Sequence, residues 1–153
     1  MEDNGFIRQA IEDLKPLLID SGFQNLKLDA ILVSLNISKT KFFRYFGSIG
    51  GIMELTVYHE LFACYRSIAW KLRQPMNGEE VLDVIIAQRK RFIDNNPILN
   101  IYYATKISFT RRFDTLKQAV LKNEVDLLQG ILKQSFYSEI DMKFLKKSII
   151  GDV

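Results

Sequence analysis

The sequence contains one cysteine and one histidine, and the scarcity of both residue types excludes several kinds of site. A lone Cys64 cannot form an intramolecular disulfide, which fits a reducing cytoplasm. His59 is the only imidazole, and no spacing typical of zinc ligands appears. Both residues fall in apolar stripes of one helical segment, so we expect a hydrogen-bonded core histidine and an inert buried thiol. No metal and no cofactor are therefore expected.

The chain also lacks a glycine-rich phosphate loop, a nucleophile elbow and any apolar run near the ~20 residues that span a membrane. Its first residues are acidic and polar, unlike those of a signal peptide. Only 8 glycines and 3 prolines among 153 residues indicate few turns and much helix. These absences predict a cytoplasmic, helical protein that neither spans a membrane nor acts as an enzyme.

The distribution of charge says more than the total. The net charge of +3 is weak evidence for a nucleic-acid partner, because residues 1–50 hold six Lys and Arg against six Asp and Glu. Lys39, Lys41 and Arg44, however, fall within residues 39–46, which contain no acid. A short helix with several cations and no acid suits the major groove of DNA, where cations meet phosphates and base acceptors.

Residues 26–53 predict a helix, a tight turn, a short second helix and the start of a third. Asn36 tolerates the left-handed backbone that such a turn needs, and Ser38 is a good N-cap for the short helix. Phe42 and Phe46 are four residues apart and can anchor this helix inward, and Gly47 ends it. The side chains that are left facing outward are Lys39, Thr40, Lys41, Arg44 and Tyr45.

The run IxxxxNISKTKFFRYFGS resembles the helix-turn-helix of the TetR family of bacterial transcriptional regulators. The resemblance implies double-stranded DNA as a partner, and it adds Lys27, Ser38 and Phe43 to the DNA-binding positions. Lys27 stands where the family usually has a Thr cap. Phe43 replaces a Tyr whose hydroxyl holds a phosphate, and Ile49 replaces a Lys that makes a second phosphate contact.

The remaining segments predict a long fourth helix over residues 48–73 and a body of further helices. These begin near residue 79, at Asn96-Pro97, near residue 112, and at Asp141 for a last segment over residues 142–150. Pro16 predicts a kink or an early break in the first helix. We predict a head of residues 1–50 and a body of residues 51–153. The resemblance implies two C-terminal helices that pair across a dimer axis. The sequence stops within the first of these, so either the protein is a short variant or its tail is missing.

Aromatic residues on the body helices allow two interpretations. They can simply pack the core, or they can line a small-molecule pocket with tyrosine hydroxyls as orienting groups. The resemblance supports a pocket, because the family's body typically holds an inducer. Arg89 interrupts an apolar stripe, where it can either meet an anionic ligand or extend to solvent. The candidate ligand-binding residues are Phe62, Tyr65, Arg89, Tyr102, Tyr103 and Phe109.

Together these features predict an all-α protein whose three-helix head is joined by a long fourth helix to a ligand-binding body. The expected function is a ligand-responsive transcriptional regulator, in the first instance a repressor, that binds a palindromic operator as a homodimer. The alternative is a helical ligand-binding or protein-interaction module with weakened DNA binding. Phe43 and Ile49 favour the alternative, because neither side chain can hold a phosphate by a hydrogen bond.

Overall fold

A computed structural model of the chain describes residues 2–74, 76–105 and 109–134, and these residues form helices and no strand. The prediction of an all-α protein is confirmed. The predicted segment over residues 142–150 lies outside the described residues. None of the described helices combines the length and apolarity needed to cross a membrane. In chain order the helices are α1 (Glu2–Ser21), α2 (Leu28–Leu35), α3 (Lys39–Phe46), α4 (Ile49–Lys71), α5 (Gly78–Asp94), α6 (Pro97–Ala104) and α7 (Arg111–Gln134).

Local signals place the helix boundaries where they were expected. Asn36 follows α2 in the left-handed conformation, with φ 53° and ψ 50°. The Ser38 side chain accepts a hydrogen bond of 3.1 Å from the backbone N–H of Lys41 and so caps α3. Asn96 caps α6 in the same way, and Pro97 occupies the first turn, where its missing N–H leaves no bond unmade.

Helix α1 continues through Pro16, so the predicted early break is wrong. Pro16 removes one backbone hydrogen bond, but it lies on the exposed side of the helix. Leu14 and Leu18, on either side of it, are fully buried. Burying two leucine side chains contributes about 3–6 kcal/mol, which is comparable to or larger than the cost of a proline within a helix, about 3 kcal/mol.

The described chain divides into two compact units. The first consists of Met1–Glu60 and Asn96–Thr110, and the second of Leu61–Asn95 and Arg111–Val153. This division by internal contacts differs from the functional division into residues 1–50 and 51–153, which stays a prediction. In the first unit α1 packs against α2 and α6. The deeply buried side chains of that unit include Leu14, Leu18, Ile31, Phe42, Ile52 and Leu99.

The first unit also contains a buried carboxylate that sequence reasoning did not identify. Glu60 of α4 is 5% exposed, forms an ion pair with the Lys15 ammonium of α1, and accepts a hydrogen bond of 2.8 Å from the Asn96 side chain. Glu54, six residues earlier in α4, accepts hydrogen bonds from both the backbone N–H and the hydroxyl of Thr110, at 2.7 and 3.1 Å. Two acids of α4 thus fix neighbouring segments of the unit.

His59 does not have the environment that its apolar stripe predicts. Its side chain is 39% exposed, and the Nδ1 atom lies 3.9 Å from a carboxylate oxygen of Glu60, beyond hydrogen-bonding distance. The buried Nδ1 has no hydrogen-bond partner among the described residues. The prediction of a hydrogen-bonded core histidine is therefore wrong, because the ring is more than a third exposed and its Nδ1 makes no hydrogen bond.

In the second unit, the buried side chains include Ile68, Ile85, Phe113 and Leu128. Cys64 is also buried, as expected, and its burial raises the pKa of the thiol although the nearby Arg89 lowers it. A thiol with a raised pKa has little thiolate at neutral pH and reacts slowly.

Candidate nucleic-acid interface

Helix α3 is anchored by its aromatic side chains, as its sequence predicts. Phe42 is fully buried and Phe46 is 7% exposed. Their ring centroids lie 5.4 Å apart, so the two residues form one continuous apolar contact along the inner side of the helix. This confirms the predicted phase of the helix, because residues four apart share one face.

A second side of α3 packs against Phe6 of α1. The Tyr45 ring lies 4.6 Å from the Phe6 ring, and the Lys41 ammonium lies 4.3 Å from the Phe6 centroid. Lys41 and Tyr45 are consequently half-buried, and the prediction that both face outward is wrong. The ammonium is attracted to the ring by a cation–π interaction, which a sequence pattern within α3 cannot reveal because Phe6 lies in another helix.

The rest of α3 is open. Lys39, Thr40, Phe43 and Arg44 are all exposed, and we call these four residues the open face of α3. The Arg44 guanidinium lies 5.3 Å from the Tyr45 centroid, which orients it without burying it. The open face therefore presents one lysine, one arginine, one hydroxyl and one phenyl ring on a helix of eight residues.

Two further predicted DNA-binding positions lie at helix N-termini. Ser38 is exposed, but its side-chain oxygen already accepts the capping hydrogen bond of α3. Lys27 is exposed at the N-cap of α2, where its backbone is extended. A lysine has no acceptor and cannot cap a helix, so its ammonium is available for a phosphate.

The junction of α3 and α4 is tight. Gly47 ends α3 with φ 75°, and the Ser48 hydroxyl oxygen accepts a hydrogen bond of 3.0 Å from the Gly51 backbone N–H at the start of α4. A Cβ atom on Gly51 would overlap the carbonyl oxygen of Phe46 and lie 3.1 Å from its carbonyl carbon. Gly51 is therefore needed because the end of α3 approaches α4 too closely for a side chain. The sequence did not indicate this reason.

The structure distributes the candidate ligand-binding aromatics between the two units. In the first unit Tyr102 stacks on Phe109, with centroids 5.9 Å apart and an interplanar angle of 4°, and lies 5.0 Å from Tyr103. In the second unit the Phe62 and Tyr65 rings are 5.9 Å apart. Each group is a close aromatic contact inside its unit, and a shared pocket stays a prediction.

Arg89 does not extend to solvent, so the second of its two interpretations is wrong, whereas a ligand contact stays a prediction. Its guanidinium forms an ion pair with Glu124 of α7, whose side chain is 1% exposed. The carboxylate that Arg89 binds here is therefore a side chain of the protein and not a bound ligand. A carboxylate this deeply buried requires a charged partner, which explains why a cation interrupts the apolar stripe of α5.

Sequence reasoning missed an open groove of about 660 Å³ along the second half of α4. Trp70 is 68% exposed there, and the Arg73 guanidinium lies 4.8 Å from its ring. The pattern that could have indicated the groove is a tryptophan between two arginines at helical spacing. The described lining residues are Ala63, Arg66, Ser67, Ala69, Trp70 and Arg73.

No family model and no curated protein matches the sequence. Among solved structures, the chain is similar to PfmR, a TetR family transcriptional regulator from Thermus thermophilus, with a TM-score of 0.62 and 17% sequence identity. The similarity covers 93% of this chain and 79% of that protein. It extends far beyond the short motif at residues 31–48 that carries the resemblance in sequence. The chain has the fold of the TetR family transcriptional regulators.

Proposed function

We propose that the protein is a DNA-binding transcriptional regulator whose recognition element is the open face of α3. The observation that carries this proposal is the division of α3 into three sides. On the first side, Phe42 and Phe46 are buried and anchor the helix. On the second side, Lys41 lies over the ring of Phe6. The third carries no acid, and its two cations, Lys39 and Arg44, are exposed. Such a helix can enter a major groove with its cations directed at phosphates and base acceptors.

The similarity to a solved regulator supports the same function, since a motif and a fold of the same kind occur together. Repression, rather than activation, and a cytoplasmic location belong to the proposal. So does a response to a small molecule, for which the candidate contacts are Phe62, Tyr65, Arg89, Tyr102, Tyr103 and Phe109. A ligand that binds one conformation of the body more tightly would shift the population of the DNA-binding state.

We further propose that two copies bind a palindromic site together. A single α3 offers too few contacts for specific affinity, whereas two copies can read two half-sites one helical turn apart. The proposed contact between copies involves residues 115–136 and those after Asp141, of which the described part is the helical segment up to Gln134. Sedimentation at micromolar concentration tests this, and a monomer without DNA would contradict it.

DNA binding itself is tested with duplex DNA of random sequence, measured by fluorescence anisotropy at about 50 and 200 mM salt. Affinity should fall steeply between the two, because each cation that neutralises a phosphate releases a counterion. Lys39→Ala and Arg44→Ala should each weaken binding and reduce the salt slope by about one. Lys90→Ala, at an exposed lysine of α5, is the matched control and should change neither.

The second candidate function is a ligand-binding or protein-interaction module with weakened DNA binding. The observation in its favour is that Phe43, exposed on the open face, and Ile49, in the first turn of α4, offer no hydrogen bond to a phosphate. Absence of binding to random duplex at low salt, with the fold intact by circular dichroism, would favour this module over the regulator.

A further inference from the structure

Phe43 is the one side chain of the open face of α3 that carries no hydrogen-bonding group. Lys39, Thr40 and Arg44 all bear donors, whereas Phe43 exposes 42% of its surface as a plain phenyl ring. An exposed phenyl ring on a recognition helix is unfavourable in water and gains stability wherever a partner covers it. DNA offers no cationic group, and the ring can neither donate nor accept a conventional hydrogen bond, so an apolar group is its most favourable contact on DNA.

The orientation of the Phe43 ring is fixed by its contact with the buried Phe42. Phe43 contacts the fully buried Phe42 in an edge-to-face arrangement, with centroids 5.4 Å apart and an interplanar angle of 78°. Edge-to-face pairs of this kind are favourable beyond their buried area. The ring therefore stands outward in a defined position, and little side-chain freedom would be lost when DNA covers it.

Only one base presents an apolar group in the major groove, and this is thymine with its C5-methyl group. We propose that Phe43 contacts a thymine methyl group and so selects an A·T pair at one position of each half-site. The inference rests on the proposed function, because it assumes that the open face enters the groove. The neighbouring Lys39 and Arg44 supply the phosphate contacts, which leaves the phenyl ring for the base edge.

The test begins with selection of bound duplexes from a random-sequence pool by the full chain. Each thymine of the selected site is then replaced singly by deoxyuridine, which removes the methyl group and leaves every hydrogen-bonding group in place. At one position of each half-site, affinity should fall about fourfold, the effect of exposing one methyl-sized group. Phe43→Ala should bind the thymine and uracil forms equally. The loss of the methyl group should therefore lower the affinity of the wild type but not that of the variant.

Two controls separate this from a general loss of binding. Ile19→Ala removes an apolar side chain of almost the same exposure, 44%, from α1 and should keep the thymine preference. Phe43→Ala should also retain the salt-dependent affinity for random duplex, because Lys39 and Arg44 remain. If Phe43→Ala does not fold, Phe43→Gln removes the ring while keeping a long side chain, and it should likewise lose the preference.

The outcomes are distinguishable. If wild-type protein selects a site but no uracil replacement weakens it, or if Phe43→Ala keeps the thymine preference, Phe43 does not read a methyl group. If the wild type binds the thymine and uracil forms equally, and Phe43→Ala lowers the affinity for both forms by the same factor, the ring only supports α3. If the wild-type protein binds no duplex, the proposed function fails as well.

Discussion

Replacing Gly51 by alanine tests how α3 is held against α4. The new Cβ would overlap the carbonyl oxygen of Phe46 and lie 3.1 Å from its carbonyl carbon. Both are backbone atoms at the end of α3, so neither can rotate away as a flexible side chain can. Gly50, one residue earlier, provides a matched control, because a Cβ there would meet only the Ser48 hydroxyl oxygen at an ordinary 3.6 Å.

The expected changes in the free energy of unfolding have opposite signs. Alanine is more favourable than glycine in a helix by about 0.5–1 kcal/mol, and Gly50→Ala should stabilise the protein by up to that amount. Gly51→Ala has the same intrinsic gain, but inserting a methyl group into a closed contact costs about 1–3 kcal/mol. If the backbone must move by a large part of an ångström, the cost lies near the upper end, and the net change is a loss of about 2 kcal/mol.

Urea unfolding followed by circular dichroism measures both variants against the wild type. A shift of the midpoint at constant slope reports stability alone. The two variants differ by one methyl group at adjacent positions of the same helix turn, so their difference isolates the contact with Phe46. If Gly51→Ala is as stable as Gly50→Ala, the close approach of α3 to α4 does not constrain that residue, and the reasoning is refuted.

Three other predictions follow from buried charges and from the fold. Lys15→Met should lower stability by about 1–3 kcal/mol, because Glu60 loses its ammonium partner. Burial alone would lower the pKa of Lys15, but hydrogen bonds to Glu12 and Glu60 raise it above 10.5. The difference in the free energy of unfolding between the wild type and Lys15→Met should therefore be complete below pH 10.5 and should shrink at higher pH. Arg89→Met should lower stability by about 3–5 kcal/mol in thermal unfolding by stranding Glu124, and the double variant Arg89→Met/Glu124→Leu should recover most of the loss. A double variant less stable than the single one would contradict this account. In gel filtration, wild-type protein mixed with a duplex of its selected palindromic site should elute as two chains per duplex, and one chain per duplex would contradict the proposed pairing.

The sequence predicted those features that depend on neighbours within a few residues. Asn36 in the left-handed turn, Ser38 as the cap of α3 and Asn96 as the cap of α6 all act on backbone groups no more than three or four positions away. The phase of α3 was predictable for the same reason, since Phe42 and Phe46 repeat at the helical period. Short-range chemistry of this kind is written directly in the order of residues.

The predictions that were wrong concern side chains whose contacts lie far away in the sequence. Lys41 is half-buried because of Phe6, and Arg89 turns inward because of Glu124, which follows it by 35 positions. A periodic pattern shows that a side chain faces inward or outward, but it does not name what the side chain meets. The expected early break at Pro16 was wrong for a related reason, since the packing of its neighbours outweighs the hydrogen bond that the proline removes.

Asn96 connects the first turn of α6 to α1 by hydrogen bonds, in addition to the direct packing of the two helices. Its side-chain oxygen caps α6 at the Leu99 N–H, and its side-chain nitrogen donates to Glu60, which also binds Lys15 of α1. Fraying of the first turn of α6 would therefore expose the carboxylate that holds α1. In native-state hydrogen exchange, the amide of Leu99 and those around Lys15 should lose protection together, as one cooperative opening rather than two local ones. A single amide side chain should thus strengthen the coupling between the opening of α6 and that of α1.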